Sequence, residues 1–153
     1  MAKQPKTKAL PQAGGGGRNP KTNVSVASSP SHDLPVVSFQ YADREAEKNP
    51  WPWPEGDALG EMIHFLCGIS TTTWHELRNQ MWGGKDRHRK HHGMAFDVVC
   101  EQAQQRLAKS KLDEVFDEFF RFRLDGKTRL WGFERSGVFY LLWWDPDHSV
   151  YPV

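Results

Sequence analysis

The stretch FRFRLDGKTRLWGFERSGVFYLLWWDPDHSVY, from Phe120 to Tyr151, alternates apolar and polar residues between short turn-forming breaks. Period-two alternation places successive side chains on opposite faces of a strand, and Asp-Gly between two such runs is a strong hairpin signal. Four strands are expected: Phe120 to Leu124, Lys127 to Arg135, Val138 to Trp144, and His148 to Tyr151. Their connectors are Asp125-Gly126, Ser136-Gly137 and Asp145-Pro146-Asp147. With two-residue loops at both glycine turns, Leu124 falls opposite Lys127 and Arg135 opposite Val138. One face then carries Phe120, Phe122, Leu124, Trp131, Phe133, Tyr140, Leu142 and Trp144, with Arg129 among them, as the core. The other carries Arg121, Arg123, Leu130, Phe139, Leu141 and Trp143, and is expected to face water. A one-residue bulge in either hairpin would exchange parts of these sets.

Upstream of the meander the period is helical. Leu59, Met62, Ile63 and Leu66 follow Asp57 at i, i+3, i+4, i+7 spacing, and Gly68 closes the element. Thr73-Trp74-His75-Glu76 has the spacing of a capping box, with Trp74, Leu77 and Met81 on one stripe that ends at Gly83-Gly84. A third helix is expected through Phe96, Val99, Cys100, Ala103 and Leu107, and a shorter fourth through Leu112, Val115, Phe116 and Phe119. Cys67 and Cys100 sit on these stripes and read as small buried hydrophobes. Val36 to Tyr41 alternates as a short strand. The prolines around Trp51 and Trp53 favour an extended loop, clamped to the core by its tryptophans. The fold class is therefore α+β, with three or four short helices on one face of an antiparallel meander.

A chain of 153 residues holds one core but not two. Residues 1–34 are rich in Pro, Gly, Ser and Lys and read as a disordered basic tail, leaving 35–153 as the domain. At 38% hydrophobic and 25% charged the composition is globular, while the mean hydropathy of -0.69 reflects the polar tail. No run approaches the roughly 18 apolar residues of a membrane span, and no apolar leader follows the first lysines, so the expected location is the cytoplasm. The net charge of +1 hides a basic run, Lys85-Asp86-Arg87-His88-Arg89-Lys90-His91-His92. His88, His91 and His92 match no zinc spacing, and the interleaved Lys and Arg repel cations. Contact with phosphates is the reading preferred over metal, with a plain solvated loop as the bland alternative. No P-loop, dinucleotide fingerprint or nucleophile elbow is present, and no cofactor is expected.

The order strand, helices, meander, late His and Tyr resembles the RelE-like ribonuclease toxins of bacteria. The resemblance covers Val36 to Tyr41 and residues 94–151 in topology, with Lys127-Thr128-Arg129-Leu130 and His148-Ser149-Val150-Tyr151 as its motifs. It implies a metal-independent endoribonuclease acting on messenger RNA, whether free or ribosome-bound, and an antitoxin protein as partner. Carried onto this chain, His148 would act as base or acid, Arg123 and Arg129 would hold the phosphate, and Tyr151 would position it. Arg121, Lys85, Arg87, Arg89, Lys90, His91 and His92 would extend the basic surface, and Trp143 would offer a stacking platform. The long segment from Ala42 to Gly93 and the many tryptophans depart from that family. The chain also looks like an uncharacterised bacterial group with Thr-Trp-x-Glu, a Lys/His-rich loop, Arg-Leu-Trp-Gly and Trp-Trp-Asp-Pro-x-His-x-Val-Tyr-Pro, which brings no activity with it. Each site residue has a structural alternative: His148 could satisfy a turn carbonyl, the arginines could be ordinary strand residues and Tyr151 could pack. The second functional reading is a non-catalytic nucleic-acid-binding or interaction module of a mobile element.

Overall fold

A computed structural model describes residues 33–45 and 49–153. The basic stretch read as a tail lies outside the described residues except for Asp33 and Leu34. The elements are β1 (Val36–Ser38), α1 (Gly56–Ile69), α2 (Trp74–Asn79), β2 (Met81–Trp82), β3 (His88–Arg89), β4 (His92–Met94), α3 (Glu101–Ser110), β5 (Phe119–Arg123), β6 (Arg129–Arg135) and β7 (Val138–Asp145). Five strands form one mixed sheet in the order β1-β7-β6-β5-β4, with β1 parallel to β7 and the other neighbours antiparallel. A separate hairpin pairs β2 with β3. No helix among the described residues is long and apolar enough to cross a membrane.

The helices cover both faces of the sheet, not one. Met62, Leu66 and Ile69 of α1, with Trp74 and Leu77 of α2, pack on Phe120, Phe122, Leu130, Phe139, Leu141 and Trp144. On the opposite face Val99, Ala103, Leu107 and Phe116 cover Phe119, Trp131, Phe133 and Trp143. The side expected to be wet is thus a second core, and the alternation of apolar residues on both faces is what a doubly covered sheet requires. Trp51 does clamp its loop: it is buried against Trp143 at 4.8 Å between ring centroids, and its Nε1 donates to Ser149 Oγ at 2.8 Å.

The two hairpins obey different turn chemistry. At Ser136-Gly137 both φ angles are positive, 53° and 82°, as a two-residue type I′ turn demands, and Arg135 pairs with Val138 as expected. Neither Asp125 nor Gly126 has a positive φ. Asp125 Oδ1 instead accepts from the backbone N–H groups of Lys127 (2.9 Å) and Thr128 (2.8 Å), which lengthens the loop by one residue. Leu124 therefore bonds to Thr128 rather than facing Lys127, and Arg123 pairs with Arg129. That single step turns Arg129, Trp131 and Phe133 onto the face of Arg121 and Arg123. A bulge between Trp131 and Gly132 then brings Trp143 opposite Trp131.

Other expectations shift for local reasons. Lys111 adopts φ 56°, which stops α3, so the fourth helix is only a 3-10 turn over Leu112–Glu114 and Phe119 joins β5. Gln80 is extended, so the second helix ends at Asn79 and Met81 enters β2. Its capping box forms as expected, with Thr73 and Glu76 exchanging hydrogen bonds. The buried stripe of α1 is Met62, Leu66 and Ile69, which leaves Leu59 and Ile63 exposed. Cys67 is exposed and Cys100 half-buried at the start of α3, so neither is a core residue. His148 to Tyr151 forms no strand.

A β-carbon at Gly132 would strike the Tyr140 carbonyl and the Phe139 ring, whereas one at Gly60, inside α1, would meet nothing within 4 Å. Gly132→Ala should lower stability by about 1–3 kcal/mol and Gly60→Ala should raise it by about 0.5–1 kcal/mol. Urea unfolding of both variants checks this contrast, and equal effects would contradict the packing at the bulge.

Candidate functional site

The shifted register gathers three arginines at one end of β5 and β6. Arg123 and Arg129 are cross-strand partners and Arg121 lies two residues along the same face, an arrangement of like charges that destabilises a sheet unless something offsets it. Among the described residues the ion pairs involve Arg78, Arg106 and Lys109, and none involves this trio. Neutral carbonyls orient two of them instead. Arg129 donates to the carbonyls of Asp125 (3.2 Å), Gly126 (3.2 Å) and Thr128 (3.0 Å), and Arg123 to Asp125 O (2.9 Å). The Nε atoms of Arg121 and Arg129 are buried without a partner.

One acid lies near. Asp145, fully buried, directs its oxygens to Trp131 Nε1 (3.3 Å), the N–H and hydroxyl of Ser149 (2.8 and 3.1 Å) and Val150 N–H (3.0 Å). It anchors the C-terminal segment and only partly offsets the arginines. Burial, then the charges of Arg121 and Arg123, bring the Arg129 guanidinium down to about 10. Burial and Arg123 lower Arg121 in the same way. Desolvated cations crowded together in this way gain most from an incoming anion.

Arg121 lies between two imidazoles. One terminal nitrogen is 2.8 Å from His92 Nε2 and the other 3.4 Å from His148 Nε2. His92 Nδ1 is 2.9 Å from the Gly93 carbonyl, so Nδ1 carries the proton and Nε2 accepts from Arg121. His148 sits at φ 59° in the turn that follows Asp145-Pro146-Asp147, a left-handed conformation that histidine adopts more readily than most residues. Burial first, and nearby arginines after it, hold both imidazoles below the usual histidine pKa. Tyr151 meets His148 edge-on at 6.3 Å. These groups border an open cleft of about 880 Å³, closed on its outer side by the β2–β3 hairpin through Trp82, His88 and Arg89.

Of the residues singled out in the sequence, Arg121, Arg123, Arg129, His148, Tyr151, Arg89 and His92 converge on this cleft. Lys85 and Arg87 are exposed in the hairpin turn and do not line it, and Lys90 is half-buried. Two expectations are corrected. Trp143 is buried beneath the α3 layer with its Nε1 on Asp43 at 2.9 Å, so it offers no stacking face. His91 is buried among Phe65 and Phe122, accepts the Arg123 N–H at Nδ1 (3.1 Å) and meets Gln80 Oε1 through Nε2 (3.2 Å), which makes it a neutral structural group. Trp82 and Asp145 were not foreseen. Trp82 adjoins Gly83-Gly84 and reads as the frayed end of a helix, and Asp145 reads as a turn residue.

Among the described residues no group of three or more His, Cys, Asp and Glu could hold a metal ion. No family model, curated protein or solved structure matches this chain.

The burial of His91, with the charges of Lys90, His92 and Arg121 after it, lowers its pKa to about 3 from the ordinary 6.5. The unfolded chain then binds the proton that the folded one refuses, so stability is full above pH 6.5 and falls as pH drops toward 3. Between pH 7 and pH 4 this group should cost up to about 3 kcal/mol. His91→Gln should flatten that part of the pH dependence in urea unfolding, and an unchanged slope would mean that His91 is charged when folded.

Proposed function

We propose that the cleft binds the phosphodiester backbone of RNA and cleaves it through the neighbouring 2′-hydroxyl without a metal, in keeping with the resemblance to the RelE-like ribonuclease toxins. The observation that carries the reading is the position of Arg121, a largely buried cation with no ion pair among the described residues, flanked by the imidazoles of His92 and His148. Such cleavage needs a base to take the 2′-hydroxyl proton, a cation for the pentavalent phosphorus and an acid for the departing 5′-oxygen. Two imidazoles, both held below the ordinary histidine pKa by burial and both in contact with the same guanidinium, fit the base and acid. Arg121, Arg123 and Arg129 fit the charge, and the Arg123 and Arg129 guanidiniums, already oriented by carbonyls, need little reorganisation when phosphate arrives.

On this reading a phosphate oxygen replaces the imidazole nitrogens as the acceptor for Arg121. His92 Nε2 is then released to take or give a proton, with its Nδ1–H held on the Gly93 carbonyl. His148 serves the opposite role from across the guanidinium, and the Tyr151 ring holds it in place. The products are a 2′,3′-cyclic phosphate and a free 5′-hydroxyl. The bond that breaks is P–O5′ and the bond that forms is O2′–P. The proton gained by the base balances the one given to the leaving oxygen.

Purified protein should cut single-stranded RNA in the presence of EDTA and leave cyclic phosphate ends. His148→Asn, which tolerates the left-handed backbone, and His92→Gln should each slow cutting by about 10²- to 10⁴-fold while RNA binding persists. Arg121→Gln should weaken binding itself. Because both imidazoles lie below the ordinary histidine value of 6.5, the acid form is scarce above it, so kcat/KM should peak below about pH 6.5. Binding without cleavage in the wild-type protein would favour the non-catalytic module, and loss of both would sink the phosphate reading.

A further inference from the structure

The outer wall of the cleft holds a tryptophan unlike the others. Of the seven in the chain, Trp51, Trp74, Trp131, Trp143 and Trp144 are buried and Trp53 is half-buried, while Trp82 is 43% exposed. Its placement is built into the backbone. The β2–β3 hairpin pairs Trp82 with His88, and its base is closed by the Lys90 N–H on the Gln80 carbonyl at 2.8 Å. Gly83, at φ 97°, passes so close to Asp86 that a β-carbon would fall 2.9 Å from its carbonyl oxygen, so only glycine permits the turn. Arg123 then covers the indole, its guanidinium 4.1 Å from the ring centroid, while hydrogen bonds to the β5–β6 turn hold that guanidinium still. The result is an aromatic ring beside the arginine cluster, one face against Arg123, that lines the cleft.

A single exposed aromatic is ordinary by itself; what sets Trp82 apart is that it lines the same cleft as Arg121, Arg123 and Arg129. The chemistry next to it specifies the ligand: cations for a phosphate on one side, a flat π-surface on the other. We propose that Trp82 is the stacking platform for an unpaired nucleobase, which makes single-stranded nucleic acid the substrate class of the cleft. In a duplex the bases already stack on one another and cannot reach the indole. Stacking of this kind tolerates all bases, so the cleft would select strandedness before sequence. This deepens the phosphate reading above and rests on it.

The test uses the full chain and two uncleavable strands of equal length, one a single-stranded 2′-deoxy oligonucleotide and the other its abasic counterpart, with the duplex of the first as a third probe. With most tryptophans buried, quenching of intrinsic fluorescence reports mainly on Trp82. The base-bearing strand should bind about 10-fold more tightly than the abasic one and quench, and Trp82→Phe should keep most of that margin. Trp82→Leu, which retains apolar bulk but cannot stack, should reduce the base-bearing strand to the abasic level. Arg121→Gln should weaken both strands alike. Equal affinity of the two strands for wild type, full affinity in Trp82→Leu, or duplex bound as tightly as single strand would overturn the platform while leaving phosphate binding intact. If neither strand binds, the phosphate reading has failed and the platform falls with it.

Discussion

The segment that brings His148 and Tyr151 to the cleft is held by the carboxylate of Asp145. Its four hydrogen bonds tie the last residue of β7 to the Trp131 indole on β6 and to the backbone and hydroxyl of the segment that carries His148 and Tyr151. A buried carboxylate is stable only when its oxygens are so engaged. Because they are engaged with neutral donors, the nearby guanidiniums have no ion-pair partner among the described residues. One residue thus holds the C-terminal segment across the strand ends and leaves the charge of the arginines only partly offset.

The same economy of contacts explains why so charged a cluster persists inside a sheet. Arg123 and Arg129, although directly opposed, are each fixed by carbonyls of the turn that joins their strands. That turn owes its length to Asp125, whose side chain captures two backbone N–H groups. With a two-residue turn, Arg129 would point into the layer beneath α1 and no cluster would exist.

The meander was legible because alternation and glycine turns are local signals, and the Ser136-Gly137 hairpin formed as its φ angles require. The Asp125 hairpin was misread by one residue, since Asp-Gly supports either a type I′ turn or a side-chain-capped loop and the choice depends on the following N–H groups. Covering of both sheet faces was missed because Arg121 and Arg123 on a strand look like solvent-facing residues when only the strand is considered. His148, Arg121, Arg123, Arg129 and Tyr151, expected as a group from residue type and the family resemblance, do line one cleft, since they lie on adjoining strands and the segment that follows them. Trp82 comes to the site from some forty positions earlier through a hairpin whose strands have two residues each, too short for any periodic signal. His91 and Trp143 were assigned to the surface because no local rule distinguishes a buried histidine or tryptophan from an exposed one.

The parallel pairing of β1 with β7 has a kinetic consequence. Val36 finds its partner only at Val138, and no hairpin can guide two parallel strands together. Loop closure over so long a span is slow compared with the local zipping of β5, β6 and β7. The meander should therefore form early and wait with one edge bare, and the first strand should dock late as a latch along that edge.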